Sequence, residues 1–305
     1  MKRTIIAVSL VVLSAGVISC SSDEGEEGIG SKKPAEQNDN DTTQQEAPDN
    51  VLSEEAVGVA SPKFFFEVIR DLGEDSNPDI LIPVSSAQNF TEERTQALAF
   101  GMYSADLAYV SSYEIGSDAI EYLKVVEEMT NTLNISGIFD QKLKDRLTSN
   151  RDNIDSVFAF ADVAYNNSVR YLKANDKEKV MALMLAGAWI ESMYLVTSVA
   201  GDFDPQVSAF NAIKQQHLVL EAILEELAPF QDTDDDIFQI YAELDAIQEM
   251  FYSEGVEGEE ATYERDENGR FIFKGGQSVV LNSEIYGTIV ESVRNMREAI
   301  LNNQI

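Results

Sequence analysis

The chain has 305 residues, with 22 basic against 54 acidic side chains and a formal charge of -32. Nucleic-acid binding needs a basic footprint, so that class is excluded, and adhesion of the folded part to an anionic lipid surface is disfavoured by the same charge. Basic or metal-bearing partners stay open, and a single cysteine excludes any disulfide within one chain.

Lys2 and Arg3 give a positive start, and Ile5 to Val17 forms an apolar core too short for an ordinary span. It ends in Val17-Ile18-Ser19-Cys20. This tetrad resembles the lipobox of bacterial lipoproteins, in which the cysteine becomes the first mature residue and carries the lipid. The resemblance implies a signal peptide over residues 1–19 and a membrane anchor at Cys20; the plainer alternative is an ordinary signal with a cysteine near its end. Ser21 is not the aspartate that retains many lipoproteins in an inner membrane. Ser22-Asp23-Glu24, then Glu26-Glu27, resembles the acidic export signal of Bacteroidota surface lipoproteins. That implies an outer-membrane lipoprotein facing outward, with a periplasm-facing one as the alternative.

Residues 20–57 read as a lipidated acidic tether. Between Ser21 and Ala56, 11 acidic residues stand against Lys32 and Lys33, and large apolar residues are scarce. Such a composition buries too little surface to offset its ordering entropy. As a flexible coil it spans on the order of 35 Å, enough to hold a domain off a membrane.

Residues 58–305 carry the folding pattern. Ser61-Pro62 opens a short helix with Phe64, Phe65, Val68, Ile69 and Leu72 on its apolar side and Gly73 at its end. Asp75 to Ser86, broken by Asn77-Pro78 and Pro83, reads as a loop. A long helix follows over Thr91 to Tyr113, its stripe built of Leu98, Gly101, Met102, Ala105, Ala108 and Tyr109, small enough to admit a second helix closely. Gly116-Ser117 reads as a break before a helix that ends near Leu133; a short helix over Asp140 to Thr148 and a longer one over Asn153 to Lys173 come next.

The stretch from 176 to 200 is apolar on all sides. Glu191 is its only charge between Val180 and Gly201, and Trp189 is the only tryptophan of the chain. A helix of this kind must be buried by neighbours on every side. A membrane span is the rival, but the uninterrupted apolar run stops at Ile190, short of the roughly 20 residues a span needs. Asp204-Pro205 then opens a helix that Pro229 closes, and Asp232 to Asp236 cap the next, which carries Ile237, Ile240, Leu244, Ile247 and Phe251. Asn268-Gly269 between two β-prone runs predicts a hairpin near 261–274. Asn282 to Asn302 is the last helix. The fold class is therefore all-α: a multi-helix bundle around a central apolar helix, with one small hairpin inserted. Ala105-Asp-Leu-Ala-Tyr109 and Ala161-Asp-Val-Ala-Tyr165 echo one another, which reads as a shared packing solution.

Three groups of residues are candidates for chemistry. Asp106, Asp162 and Glu191 are acids within the most apolar helices. Converging, they would bind a cation or a basic ligand group; the alternative is that each pairs with Arg94, Arg170 or Lys214. Trp189, Tyr109 and Tyr165, with Tyr103 and Tyr194, would line a ligand groove or simply pack the core. Asp232, Asp234, Asp236 and Glu243 have the oxygen spacing of a calcium loop, but Ile237 stands where its glycine belongs and the run also reads as a helix cap. His217, the only histidine, falls on an apolar stripe as a core residue does. No Walker loop, GxGxxG, HExxH or GxSxG occurs. The expectation is a non-enzymatic binding or scaffold protein with no cofactor, joined to the membrane through Cys20 and engaging an envelope protein partner. The alternative is a receptor for a small ligand or cation at the buried acids.

Overall fold

The computed structural model describes residues 68–69, 72–73, 75–113, 116–138, 154–207, 209–232, 234–257, 262–265, 271–274 and 278–305, with the backbone alone at 116–117, 154–162, 164, 236, 256–257, 262–265 and 271–274. The expected signal peptide, the tether, most of the helix at 61–72 and the helix at 140–148 lie outside them.

Among the described residues the helices are α1 (Glu93–Ser112), α2 (Gly116–Thr132), α3 (Ile154–Ala174), α4 (Glu178–Ala200), α5 (Ala209–Lys214), α6 (Gln216–Gln231), α7 (Asp235–Tyr252) and α8 (Ser283–Leu301). The central helix is α4. It packs against α1, α3, α5, α6 and α8, and residues from Val180 to Met193 are buried without a gap. Its length and composition would suffice for a membrane span, yet 94% of its most apolar window is buried inside the protein, as a core helix requires.

The closest partner of α4 is α1, and two glycines explain why. A Cβ on Gly101 would stand 2.1 Å from the Met184 carbonyl oxygen; one on Gly187 would stand 2.1 Å from that of Leu98. Each glycine removes the atom that would hold the two backbones apart, and Leu98 and Met102 fill the flanks fully buried. Buried hydroxyls within these helices turn back on their own carbonyls: Ser104 on Phe100, Ser111 on Leu107 and Thr197 on Met193.

Three boundaries differ from the sequence reading. Gly116 begins α2 instead of breaking the chain before it. The single helix expected from Asp204 is two, with a break at Gln215. His217 Nδ1 lies 2.6 Å from the Lys214 carbonyl, so a side chain satisfies a group that the break would strand. Pro229 lies inside α6 instead of closing it. It lacks the N–H that would reach Glu225, but it sits in the final turn and the helix runs only to Gln231.

The hairpin is present. β2 (Thr262–Arg265) pairs antiparallel with β3 (Phe271–Lys274) in the register Tyr263 to Phe273 and Glu264 to Ile272. β1 (Val256–Glu257) pairs with β4 (Ser278–Val279), so the excursion between α7 and α8 leaves and returns side by side. Asn282 then caps α8, its side chain accepting the N–H groups of Glu284 and Ile285. The buried stripe of α8 is Ile285, Ile289, Val293, Met296 and Ile300.

On the outer face of α8, Gly287 is exposed and a Cβ there meets nothing within 4 Å. Gly287→Ala is expected to stabilise the protein by about 0.5–1 kcal/mol, because alanine loses less backbone entropy in a helix. A urea melt showing no gain would mean that α8 frays at this turn.

Candidate functional site

α1, α4 and α8 meet around three buried ionisable side chains: Asp106 and Glu191, both with no exposed surface, and Arg297 at 8%. Arg297 grips Glu191 with a two-pronged pair. Its Nε donates to Oε2 at 2.7 Å and its Nη2 to Oε1 at 2.9 Å. This is the strongest geometry for a guanidinium on a carboxylate. The guanidinium carbon also lies 3.9 Å from the centroid of the Tyr194 ring, one turn along α4 from Glu191.

Over this cluster runs a strap, residues 77–90, made of two 3-10 turns, Pro78–Ile80 and Val84–Asn89. Its prolines and the Asn77 cap explain the short turns: Asn77 Oδ1 accepts the Asp79 N–H, and Pro78 presets the first turn. The strap is fastened through its backbone. Arg297 Nη2 donates to the Ile80 carbonyl at 3.0 Å. The Ile82 N–H donates to Asp106 Oδ2 at 3.2 Å, and Tyr122 of α2 donates to the Ile82 carbonyl at 2.7 Å. Tyr103 donates to the Pro83 carbonyl at 2.9 Å, and the Asn77 N–H donates to the Tyr109 hydroxyl at 3.0 Å. Leu81 and Ile82 bury their side chains beneath it.

The charge balance fixes a proton. Two acids with no exposed surface share one guanidinium, so full ionisation would leave an uncompensated buried negative charge. Burial first, then the Glu191 charge, push Asp106 well above the usual carboxylate range, against the pull of Arg297. Burial also raises Glu191, opposed by Arg297; the two-pronged pair makes Glu191 the ionised member. Among the described residues no N–H or O–H donor is directed at Asp106 Oδ1, as befits a carboxyl oxygen that carries the proton and donates to Glu191. Burial first, with the Glu191 charge, pushes Tyr103 upward, so its hydroxyl stays a donor to the strap.

Two of the three acids singled out in the sequence thus converge, while the side chain of Asp162 lies outside the described residues. The partner is neither Arg94, Arg170 nor Lys214. Arg94 pairs with Glu92 and Arg170 reaches Asn167. Arg297 was missed, although the signal was present: it stands four residues after Val293, on the apolar side of α8, where an arginine needs a buried partner. Of the aromatic residues, Tyr109 holds the start of the strap, Tyr165 is buried, and Trp189 is fully buried with Nε1 meeting no acceptor among the described residues.

Of the acids with calcium-loop spacing, one is placed as the helix cap that the sequence also offered. Asp234 caps α7 by accepting the Ile237 N–H at 3.3 Å and pairs with Lys179 of α4, which lowers its pKa. Glu243 accepts from Gln239, Asp232 is exposed, and the Asp236 side chain is not among the described ones. No group of three metal-capable side chains gathers among the described residues. His217 is a core residue, its ring edge-on to Tyr252 at 5.5 Å and near Phe251.

The geometry is that of a fastening. Both oxygens of Glu191 are held by Arg297, and Asp106 accepts from backbone. The chain matches no known protein family, no curated protein and no solved structure.

Proposed function

We propose that this chain is a non-catalytic, lipid-anchored protein of the bacterial cell envelope, whose helical domain acts as a binding or scaffold module on an acidic tether. The observation that carries the reading is Val17-Ile18-Ser19-Cys20 behind a basic start and a short apolar core. The acidic run after Cys20 supports an outward-facing place on the outer membrane, and the net charge favours a basic partner surface and disfavours nucleic acid.

The alternative, a receptor for a cation or small ligand at Asp106 and Glu191, is favoured by the convergence of the two acids. Against it stands Arg297, which engages both oxygens of Glu191. A partner bound on the outside of the bundle fits this arrangement better.

Expression of the full chain in a lipoprotein-processing bacterium tests the anchor. The wild-type protein is expected in the membrane fraction with a diacylglyceryl-modified N-terminal cysteine by mass spectrometry. Cys20→Ala is expected to lose the lipid and leave the membrane fraction. Unmodified cysteine in a correctly processed wild-type protein would overturn the proposal. A pull-down from detergent-solubilised membranes then tests the scaffold role: one stoichiometric envelope partner supports it, and a ligand-dependent rise in Tm without any partner supports the receptor.

A further inference from the structure

We propose that Asp106 is a proton-operated latch that controls whether the strap over α1, α4 and α8 is closed. The closed strap covers Asp106, and its Ile82 N–H is bonded directly to that carboxyl. Among the described residues, the groups that act on Asp106 or on its neighbours are Glu191 of α4, Arg297 of α8, Tyr103 of α1 itself, Tyr122 of α2 and the Ile82 backbone of the strap. Only one of these is a cation, and it is committed to Glu191 by both prongs. A second ionised carboxylate in this closed space has no counter-charge. Opening the strap admits water, and Asp106 then ionises at an ordinary value.

The sign follows from proton linkage. The closed state holds a proton that the open state releases, so opening becomes easier as pH rises. From the ordinary aspartate value of 3.8 upward, the opening constant grows about tenfold per pH unit, and it levels off only above the raised value of the closed form. Asparagine reproduces the protonated carboxyl: its oxygen accepts the Ile82 N–H and its amide donates to Glu191. Asp106→Asn therefore makes a latch that pH cannot release. Two of the other strap fasteners, Tyr103 of α1 and Tyr122 of α2, are held as neutral donors by burial and keep their bonds throughout this range.

The test is amide hydrogen exchange on the full chain in detergent, at about pH 5 and about pH 8, with intrinsic exchange rates divided out. In the wild type, protection of residues 77–90 is expected to fall by at least tenfold between the two, while the middle of α4 changes little. In Asp106→Asn the strap is expected to show no such fall. Equal strap protection at both pH values in the wild type, or the same fall in Asp106→Asn, would overturn the proposal. Infrared spectroscopy of the wild type with labelled aspartate gives a readout that needs no variant. A carboxylic-acid carbonyl band that survives at about pH 6, where ordinary aspartates are ionised, is expected; a fully ionised aspartate signal there would also overturn the proposal.

Discussion

Gly187→Ala is expected to destabilise the protein by about 3 kcal/mol or more, even though alanine is the better helix former. The propensity gain is about 1 kcal/mol. Against it, the new Cβ would stand 2.1 Å from the Leu98 carbonyl oxygen, 2.8 Å from its carbon and 2.9 Å from its Cα. All three are backbone atoms, so no side-chain rotation relieves the overlap. α1 and α4 must move apart by about an ångström, and the loss spreads over their whole contact because interiors are close-packed. Overpacking ordinarily costs 1–3 kcal/mol, and a backbone collision lies at or above the top of that range. Gly101→Ala meets Met184 and Ala188 backbone in the same way and should behave alike. A denaturant melt in which Gly187→Ala matches the wild type would mean that the two helices have slack at their crossing. The exposed Gly287 of α8 supplies the contrast, since the same substitution has the opposite sign there.

Arg297→Met is expected to cost about 3–5 kcal/mol at pH 7. Methionine replaces most of the arginine stem, so the loss is chiefly electrostatic. Glu191, with no exposed surface, would stand unpaired and would take up a proton instead. Protonating a carboxyl of ordinary value 4.5 at pH 7 costs about 3 kcal/mol, which sets the scale. The Ile80 carbonyl and the Tyr194 ring also lose their cation. The deficit therefore depends on pH. It shrinks by about 1.4 kcal/mol for each unit the pH falls toward 4.5, where the neutral acid is nearly free to form. A deficit constant between about pH 5 and pH 8 would show that Arg297 acts by packing alone.

The bundle was legible in the sequence because its signals are local. Apolar spacing marked α1, α3, α7 and α8, and the unbroken apolar run with Trp189 marked α4 as the centre. Gly101 announced a close neighbour before the identity of that neighbour was known, and Gly187 is its counterpart on α4. The hairpin followed from Asn268-Gly269 and two β-prone flanks. The misjudged boundaries, at Gly116, Gln215 and Pro229, are set by tertiary packing and by a side chain that satisfies a carbonyl, which no local propensity encodes. The candidate site was half visible. Asp106 and Glu191 stood out as acids among apolar residues, but their partner lies 106 residues beyond Glu191 on another helix. The strap was invisible as such, since 77–90 carries the Pro and Asn of an ordinary loop and is held by its backbone.

Glu191 and Arg297 form one internal fastening between α4 and α8. A double-mutant cycle measures this directly, by comparing urea unfolding of Glu191→Leu, Arg297→Met and the two combined. Each single variant leaves one buried charge or its substitute without a partner, whereas the double variant leaves an apolar contact. The double variant is expected to regain at least about 2 kcal/mol of the summed single losses. Losses that add without recovery would contradict it, and would mean that the two side chains answer to other partners.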